Sequence, residues 1–348
     1  MRVLSVTSMR NEGPYLLEWL AHHRAAGVTD FLVFSNDCED GTAEMLDLLD
    51  AAGVLSHVPQ ERQGKKSVQW QALRAAWKHP LRKAADWVLV SDVDEFLNIR
   101  GGDHTLDGLI DGLAPEVDGV VIPWRLYGNN GVVEVLDAPV TEQFTRAIEP
   151  GVRYPAAAGF FKTLFRTKGP FNQLGVHRPQ QKAPERAGLP VFVDGSGMRL
   201  PDSLVATPSR LSLFGFDAGQ SLVEMNHYSI RSAAGFLVKR ARGLPNRSHK
   251  PVDLAYWVER NFNTVEDRSI AAMRPATEAA LAELREIDGI AAAHERAVVW
   301  HQARFAELVR QPEEQALLVD ILTAGSSQTL PRELQLRLVQ WYQDANNK

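Results

Sequence analysis

Ser91-Asp92-Val93-Asp94-Glu95-Phe96 sets two carboxylates two residues apart, directly after the apolar run Trp87-Val88-Leu89-Val90. In an extended chain, residues i and i+2 project to the same side, so Asp92 and Asp94 can converge on one hard cation. Uncompensated acids at the end of an interior strand repel each other at neutral pH, so a metal or a proton is expected there. Mg²⁺ or Mn²⁺ prefers oxygen ligands and completes its shell with substrate phosphates, which suits carboxylates at a strand end. The plainer alternative is that one acid caps the following turn and the other is solvated.

A second acidic turn, Ser35-Asn36-Asp37-Cys38-Glu39-Asp40-Gly41-Thr42, joins an apolar run to a helical one. Its Asn, Asp and Gly are turn formers and Thr42 is a sound N-cap, while Asp37 is also placed to accept hydrogen bonds from a ribose or base. Arg10 follows the first apolar run, where a guanidinium can pair with phosphate, stack on a base, or pair with Glu12. Lys65 and Lys66 precede a helix opened by Ser67, where a basic side chain and a helix N-terminus can meet an anion together, or the lysines are simply solvated. Late in the chain stands Asn226-His227-Tyr228; neutral imidazole can ligate Mn²⁺, although a lone histidine is usually structural. Lys239, Arg240 and Arg242, with Arg247, form either a clamp for a pyrophosphate or a basic helix face in water. His177 lies in a loop-rich stretch, where it contacts a ligand or holds the loop, and Trp124, Tyr127 and Asn129 offer a stacking platform for a ring or a piece of core.

These residues need a frame that brings them together. Residues 2–8, 31–34, 54–58 and 87–91 read as strands, alternating with helices that begin near Leu16, at Thr42 and at Ser67. Such alternation implies right-handed crossovers and a parallel sheet with helices on both faces, whose ligands bind at the carboxyl ends of the strands. The loops carrying Arg10, Asp37 and Asp92 fall at that edge. Further strands are expected at 119–123, 160–166 and 222–225, a helix at 232–242, and helices at 277–285, 290–309, 313–323 and 332–343.

At 348 residues the chain is long enough for one large core or two smaller ones, and 45% hydrophobic with 23% charged residues is a globular composition. A formal net charge of −5 speaks against broad, charge-driven nucleic-acid binding. Cys38 is the only cysteine, which excludes an intrachain disulfide and a multi-cysteine zinc site and makes a reducing cytoplasm the simplest expectation. The N-terminal apolar run does not read as a signal peptide, and no stretch approaches the roughly 20 apolar residues of a membrane span. Contact with a membrane surface stays open.

In order and spacing, Val6-Thr7-Ser8-Met9-Arg10-Asn11-Glu12 with Leu16-Leu17-Glu18-Trp19, then Asn36-Asp37-Cys38-Glu39-Asp40-Gly41-Thr42, then Ser91-Asp92-Val93-Asp94-Glu95-Phe96, resemble glycosyltransferase family 2 and its GT-A relatives. The look is that of the subgroup with Asp-Val-Asp-Glu-Phe and a late Asn-His-Tyr, strong over residues 1–130 and looser to about 245. The resemblance implies an α/β GT-A fold, a Rossmann-like, mostly parallel sheet flanked by helices with a C-terminal helical extension, divided into a catalytic part at 1–245 and a helical part at 246–348. It implies a metal-dependent, inverting transferase that takes a nucleotide-sugar donor, UDP before others, and a glycan or glycolipid acceptor. Asp37 would lie near the nucleoside, with Arg10, Lys66, Lys239 and Arg240 also on the donor. Asp92, Asp94 and His227 would hold Mn²⁺ or Mg²⁺. Asp94 and Glu95 are the catalytic candidates, and the general base is left among Glu95, Asp202 and Glu224. A nucleotidyltransferase, which usually has a Gly-rich loop after the first strand, fits less well because Met9-Arg10-Asn11-Glu12-Gly13 has one glycine. An inert sugar-binding scaffold is the rival outside the enzymes.

Overall fold

The computed structural model describes residues 1–61, 67–152, 154–243 and 251–346. Its first half follows the expected alternation: β1 (Val3–Met9), helix Gly13–Ala25, β2 (Asp30–Ser35), helix Thr42–Ala51, β3 (Ser56–Pro59), helix Val68–Lys78 and β4 (Trp87–Val90). These four strands are parallel, in the spatial order β3-β2-β1-β4. Their side chains sort by the two-residue period of a strand. Phe31, Val33, Trp87 and Leu89 enter one core, while Leu32, Phe34, Val88 and Val90 enter the other, so both faces are buried.

After β4 the chain turns at Asp92–Asp94 and runs back as β5 (Glu95–Ile99), a fully buried strand that the sequence reading passed over. Its residues follow the acidic turn with no Gly or Pro between, so no punctuation separates turn from strand. Then come β6 (Gly119–Leu126), the two-residue β7 (Arg146–Ala147), β8 (Phe161–Arg166), β9 (Phe171–Gln173), β10 (Gln180–Gln181), β11 (Phe192–Val193), β12 (Val223–His227) and β13 (Val265–Glu266). The sheet continues from β4 as β8-β6-β12-β5, with β11 beside β6. Strand β8 is antiparallel to both neighbours, β12 is parallel to β6, and β5 is antiparallel to β12. This is the α/β GT-A arrangement: a mostly parallel sheet between helices, carrying a helical C-terminal extension. Its carboxyl edge gathers the ends of β1, β2, β4, β6 and β12 with the starts of β5 and β8.

The C-terminal helices Arg274–Arg285, Ile290–Leu308, Pro312–Ala324 and Arg332–Asn346 lie close to their expected places. Leu281 and Leu284 join Trp19 and Leu20 in one apolar cluster, so the first of them braces the helix Gly13–Ala25. Among the described residues no helix is long and apolar enough to cross a membrane.

Helix Gly13–Ala25 also buries two adjacent histidines. His22 Nε2 lies 2.6 Å from the Leu97 carbonyl oxygen and His23 Nδ1 lies 2.9 Å from that of Trp19. Burial lowers His22 to about 4; burial and then the neighbouring His22 lower His23 to about 3. Above pH 6.5 both are neutral folded or unfolded. Below it the unfolded chain binds protons that the fold refuses, so each contribution is lost as pH falls toward the folded value. Glu95, raised by burial to about 8, acts in the opposite sense, so the clean reading is a variant against wild type. His23→Phe is expected to gain about 2 kcal/mol relative to wild type between pH 7 and pH 5. Urea unfolding at the two pH values checks this, and a pH-independent difference would refute it.

Candidate functional site

The acidic turn is built around a buried lysine. The Asp92 amide donates to Glu95 Oε2 at 2.8 Å, and Lys162, from β8, puts its Nζ 3.0 Å from Asp92 Oδ2 and 3.2 Å from Glu95 Oε2. Gln69 Nε2 donates to Asp92 Oδ1 at 3.2 Å. Burial opposes the charge of Lys162, yet Asp92 and then Glu95 raise its ammonium above the ordinary value. Burial raises Glu95 to about 8, with Lys162 pulling the other way. Glu95 is fully buried and closes the turn, so the structure places it as a brace rather than as a base facing substrate. Of the other base candidates, Glu224 is buried in an ion pair with Arg100, and Asp202 lies on the surface 3.6 Å from Arg199.

Asp94 has a different set of neighbours. Its Oδ2 accepts from Lys239 Nζ at 2.8 Å, its Oδ1 lies 3.6 Å from His227 Nε2, and its backbone oxygen accepts from the Tyr228 amide. The antiparallel register of β5 and β12, which sets His227 opposite Glu95, brings the histidine to this turn. Burial alone would raise the Asp94 carboxyl; Lys239 and then His227 hold it well below the ordinary value. Burial keeps His227 neutral despite Asp94, which is the form that ligates a metal. The pair therefore fits two positions of a divalent cation's shell. Asp92 is turned instead toward Gln69 and Lys162, and among the described residues no three His, Cys, Asp or Glu side chains gather closely enough for a metal. The expected convergence of Asp92 on Asp94 and His227 is absent from this arrangement because each acid is drawn to its own lysine.

The neighbouring loops carry cations. Arg10 Nε donates to the Asp37 carbonyl at 3.1 Å and its Nη1 to the Arg242 carbonyl at 3.2 Å, leaving it with no carboxylate partner among the described residues. Asp37 is exposed just beyond β2, in the left-handed backbone region at φ 46°. Glu12 pairs with Arg231 at 2.8 Å and with Arg242, not with Arg10. Lys239 faces the site. Arg240, one residue on and about 100° round the helix, turns away to Glu314 at 2.9 Å and the Val252 carbonyl, so the expected donor contact gives way to a link with helix Pro312–Ala324. Lys66, like Lys65 and Arg247, lies outside the described residues. His177, held near a pKa of about 4 by burial, packs with Phe160 and Trp124, and the Trp124 ring sits 4.0 Å from that of His227. Tyr127 is fully buried core.

A family model described as glycosyltransferase family 92 matches residues 3–191, more than half of the chain. The chain belongs to glycosyltransferase family 92. This corrects the resemblance to family 2: the model that matches is that of family 92. A glycosyltransferase family 92 protein of Oryza sativa subsp. japonica is 27% identical over 143 residues, 40% of this chain and 24% of its own length. One of Ricinus communis is 32% identical over 106 residues, 30% of this chain and 18% of its own. The chain thus spans a quarter or less of the length of these curated relatives. Among solved structures, Staphylococcus aureus TarS 1–349 in complex with UDP superposes at TM-score 0.33 and 12% identity over 89% of this chain and 92% of that one. A glucose-1-phosphate thymidylyltransferase of Bacillus anthracis does so at 0.28 and 10%, over 48% and 72%. Scores this low decide nothing about donor or acceptor.

In this family 92 chain, sequence reasoning missed Glu12 as a hub, Arg231, Gln69 and Lys162. Lys162 had a visible signal: a lone cation inside Phe160-Phe161-Lys162-Thr163-Leu164-Phe165, a run otherwise fit for a buried strand. Arg231 had none, because its place depends on a left-handed φ of 56° and on partners far away in the chain.

Proposed function

We propose that this chain transfers a sugar from a nucleoside diphosphate donor, UDP-linked before others, to a glycan or glycolipid hydroxyl, with inversion. Family membership supports glycosyl transfer, and one observation carries the donor site: Asp94 beside neutral His227, with Lys239 and Arg10 as cations at the same sheet edge. Asp94 and His227 would hold Mn²⁺ or Mg²⁺, with Asp92 as the third candidate ligand. Bound there, the ion would neutralise charge growing on the departing diphosphate. Arg10, which has no carboxylate partner among the described residues, meets the donor's phosphates or base, and exposed Asp37 accepts from the nucleoside. Lys162 keeps the acidic turn in shape by pairing with Asp92 and bonding Glu95. Residues 1–245 are proposed to carry donor binding and catalysis, and 246–348 to brace them.

Isothermal titration with UDP tests the reading. Wild type is expected to bind UDP more tightly with Mn²⁺ than without, and Asp94→Ala to lose that gain. Equal affinity of the two proteins in Mn²⁺ would remove the metal-assisted donor site.

A further inference from the structure

Asp40, three residues after Asp37, has a buried carboxylate with both oxygens in use. Its Oδ1 accepts from the Thr42 amide at 2.9 Å and from the Thr42 hydroxyl at 2.6 Å. Its Oδ2 accepts from the Gly13 amide at 3.0 Å and lies 2.9 Å from His301 Nε2. An ionised carboxylate only accepts, so Nε2 carries the hydrogen of that bond. Thr42 Oγ1 in turn accepts from the Glu12 amide at 2.9 Å, and the Glu39 amide donates to Asn11 Oδ1 at 2.8 Å. The turn after β1, which carries Arg10, and the turn after β2, which carries Asp37, are thus clipped together around Asp40. Three of the four bonds to its carboxylate come from these turns, and the fourth comes from helix Ile290–Leu308, 261 residues away in the chain.

That helix lies directly on the clip. A Cβ at Gly13 would come within 2.5 Å of Ala297 Cβ, so only glycine fits there, and Ala297 stands one turn before His301 on the same helix face. His301 is 2% exposed, its ring meets Tyr15 edge-on, and its Nδ1 has no hydrogen-bond partner, so Nε2 makes the one bond that holds the ring. Burial would raise the Asp40 carboxyl, and the hydrogen bond from His301 leads the contacts that hold it below the ordinary value. Without the imidazole, Oδ2 keeps only the Gly13 amide, and a buried acceptor left short of a partner loosens what it joins. Arg10 Nε donates to the Asp37 carbonyl, so the two side chains proposed to meet the donor are tied to each other and to Asp40. We infer that His301 is a positioning residue for the donor nucleoside, fixing through Asp40 the turns that carry Arg10 and Asp37, a role that rests on the nucleoside diphosphate reading. His301 lies beyond residues 3–191, which match the family model, so this hold comes from the helical extension.

The test compares wild type with His301→Phe, which keeps a ring and removes the donor, and His301→Gln, whose amide can donate to Asp40 again. Hydrogen exchange read by mass spectrometry on the full chain is expected to quicken in His301→Phe over residues 10–13 and 36–42 and to stay unchanged over 91–99. UDP affinity by isothermal titration should fall about tenfold in His301→Phe, the scale of one lost hydrogen bond to a charged group, and by the same factor with and without Mn²⁺. An intact gain from Mn²⁺ separates a displaced nucleoside turn from a damaged metal site. His301→Gln should restore both readings. Arg296→Ala, which breaks an exposed pair with Glu44 one residue from Ala297, is expected to change neither. Should His301→Phe not fold, as judged by far-UV circular dichroism, His301→Asn, polar but shorter, takes its place. Unchanged exchange over 36–42, or an equal loss in Arg296→Ala, would overturn the inference, the second because the helix would then act as a brace and not through Asp40. Faster exchange with UDP affinity unchanged would leave His301 holding the turn but not positioning the donor. Wild type failing to bind UDP at all would sink the donor reading and the positioning role with it, while exchange would still decide whether His301 holds the turn.

Discussion

Asp94→Asn is expected to lower sugar transfer by about 10²–10³-fold, the scale seen when one preorganised electrostatic contact to a developing charge is removed. The substitution keeps the shape of the side chain and removes its charge, so the Tyr228 amide still meets the Asp94 backbone oxygen and the turn keeps its path. What changes is the electrostatics. Lys239, within the core of the site, loses the anion that lifts its ammonium above the ordinary value against the pull of burial. An unpaired buried ammonium costs about 3–5 kcal/mol, so the single variant should also unfold at lower urea. Activity and stability can be separated. Asp94→Asn combined with Lys239→Met replaces the buried pair by neutral groups and should recover most of the lost stability without recovering transfer. If the double variant regained transfer, Asp94 would be only a counter-ion for Lys239, and the donor-site reading would fall with it.

The contrast between Lys239 and Arg240 shows where sequence reading stops. Both stand in one basic run, but only the helix phase decides that Lys239 reaches Asp94 while Arg240 reaches Glu314. Most of the parallel half of the sheet was legible because β1, β2 and β4 carry apolar runs followed within a few residues by Asn or Asp turns. Strand β5 was not, because it begins inside the motif that drew attention as a turn. His227 was legible by residue type, yet its approach to Asp94 depends on the pairing of β5 with β12, a register set by partners about 130 residues apart. Separations of 70 and 219 residues likewise hide Lys162 from Asp92 and Arg231 from Glu12. Local chemistry names the candidates, and long-range pairing selects among them.

Glu12 should therefore matter more than its place in a loop suggests, and Glu12→Ala is expected to cost about 3–5 kcal/mol in urea unfolding. Burial would raise its carboxyl, but Arg242 and then Arg231 hold it below the ordinary value, so one buried anion compensates two guanidiniums. Removing it takes the ion-pair partner from both, leaving Arg231 only the more distant pull of Asp94. Arg231 keeps a bond from Nη2 to the Val93 carbonyl at 2.9 Å and its place over the Tyr15 ring at 3.6 Å, neither of which supplies a negative charge. Because its folded value is lowered, the stability Glu12 contributes is fully present above the unfolded carboxylate value near 4.5 and is lost as pH falls through the folded one. The gap between wild type and Glu12→Ala should hold steady from pH 7 to 5 and narrow only below that. Donor affinity should fall as well, since Arg231 donates to the Val93 carbonyl inside the Asp92–Asp94 turn and Arg242 donates to the Arg10 carbonyl. Glu12→Gln, whose amide oxygen can still accept from one arginine, should fall between the two proteins on both measures. A loss below about 1 kcal/mol for Glu12→Ala would mean that solvent screens the two arginines as it does an exposed pair, and the acidic turn would then be held without help from Glu12.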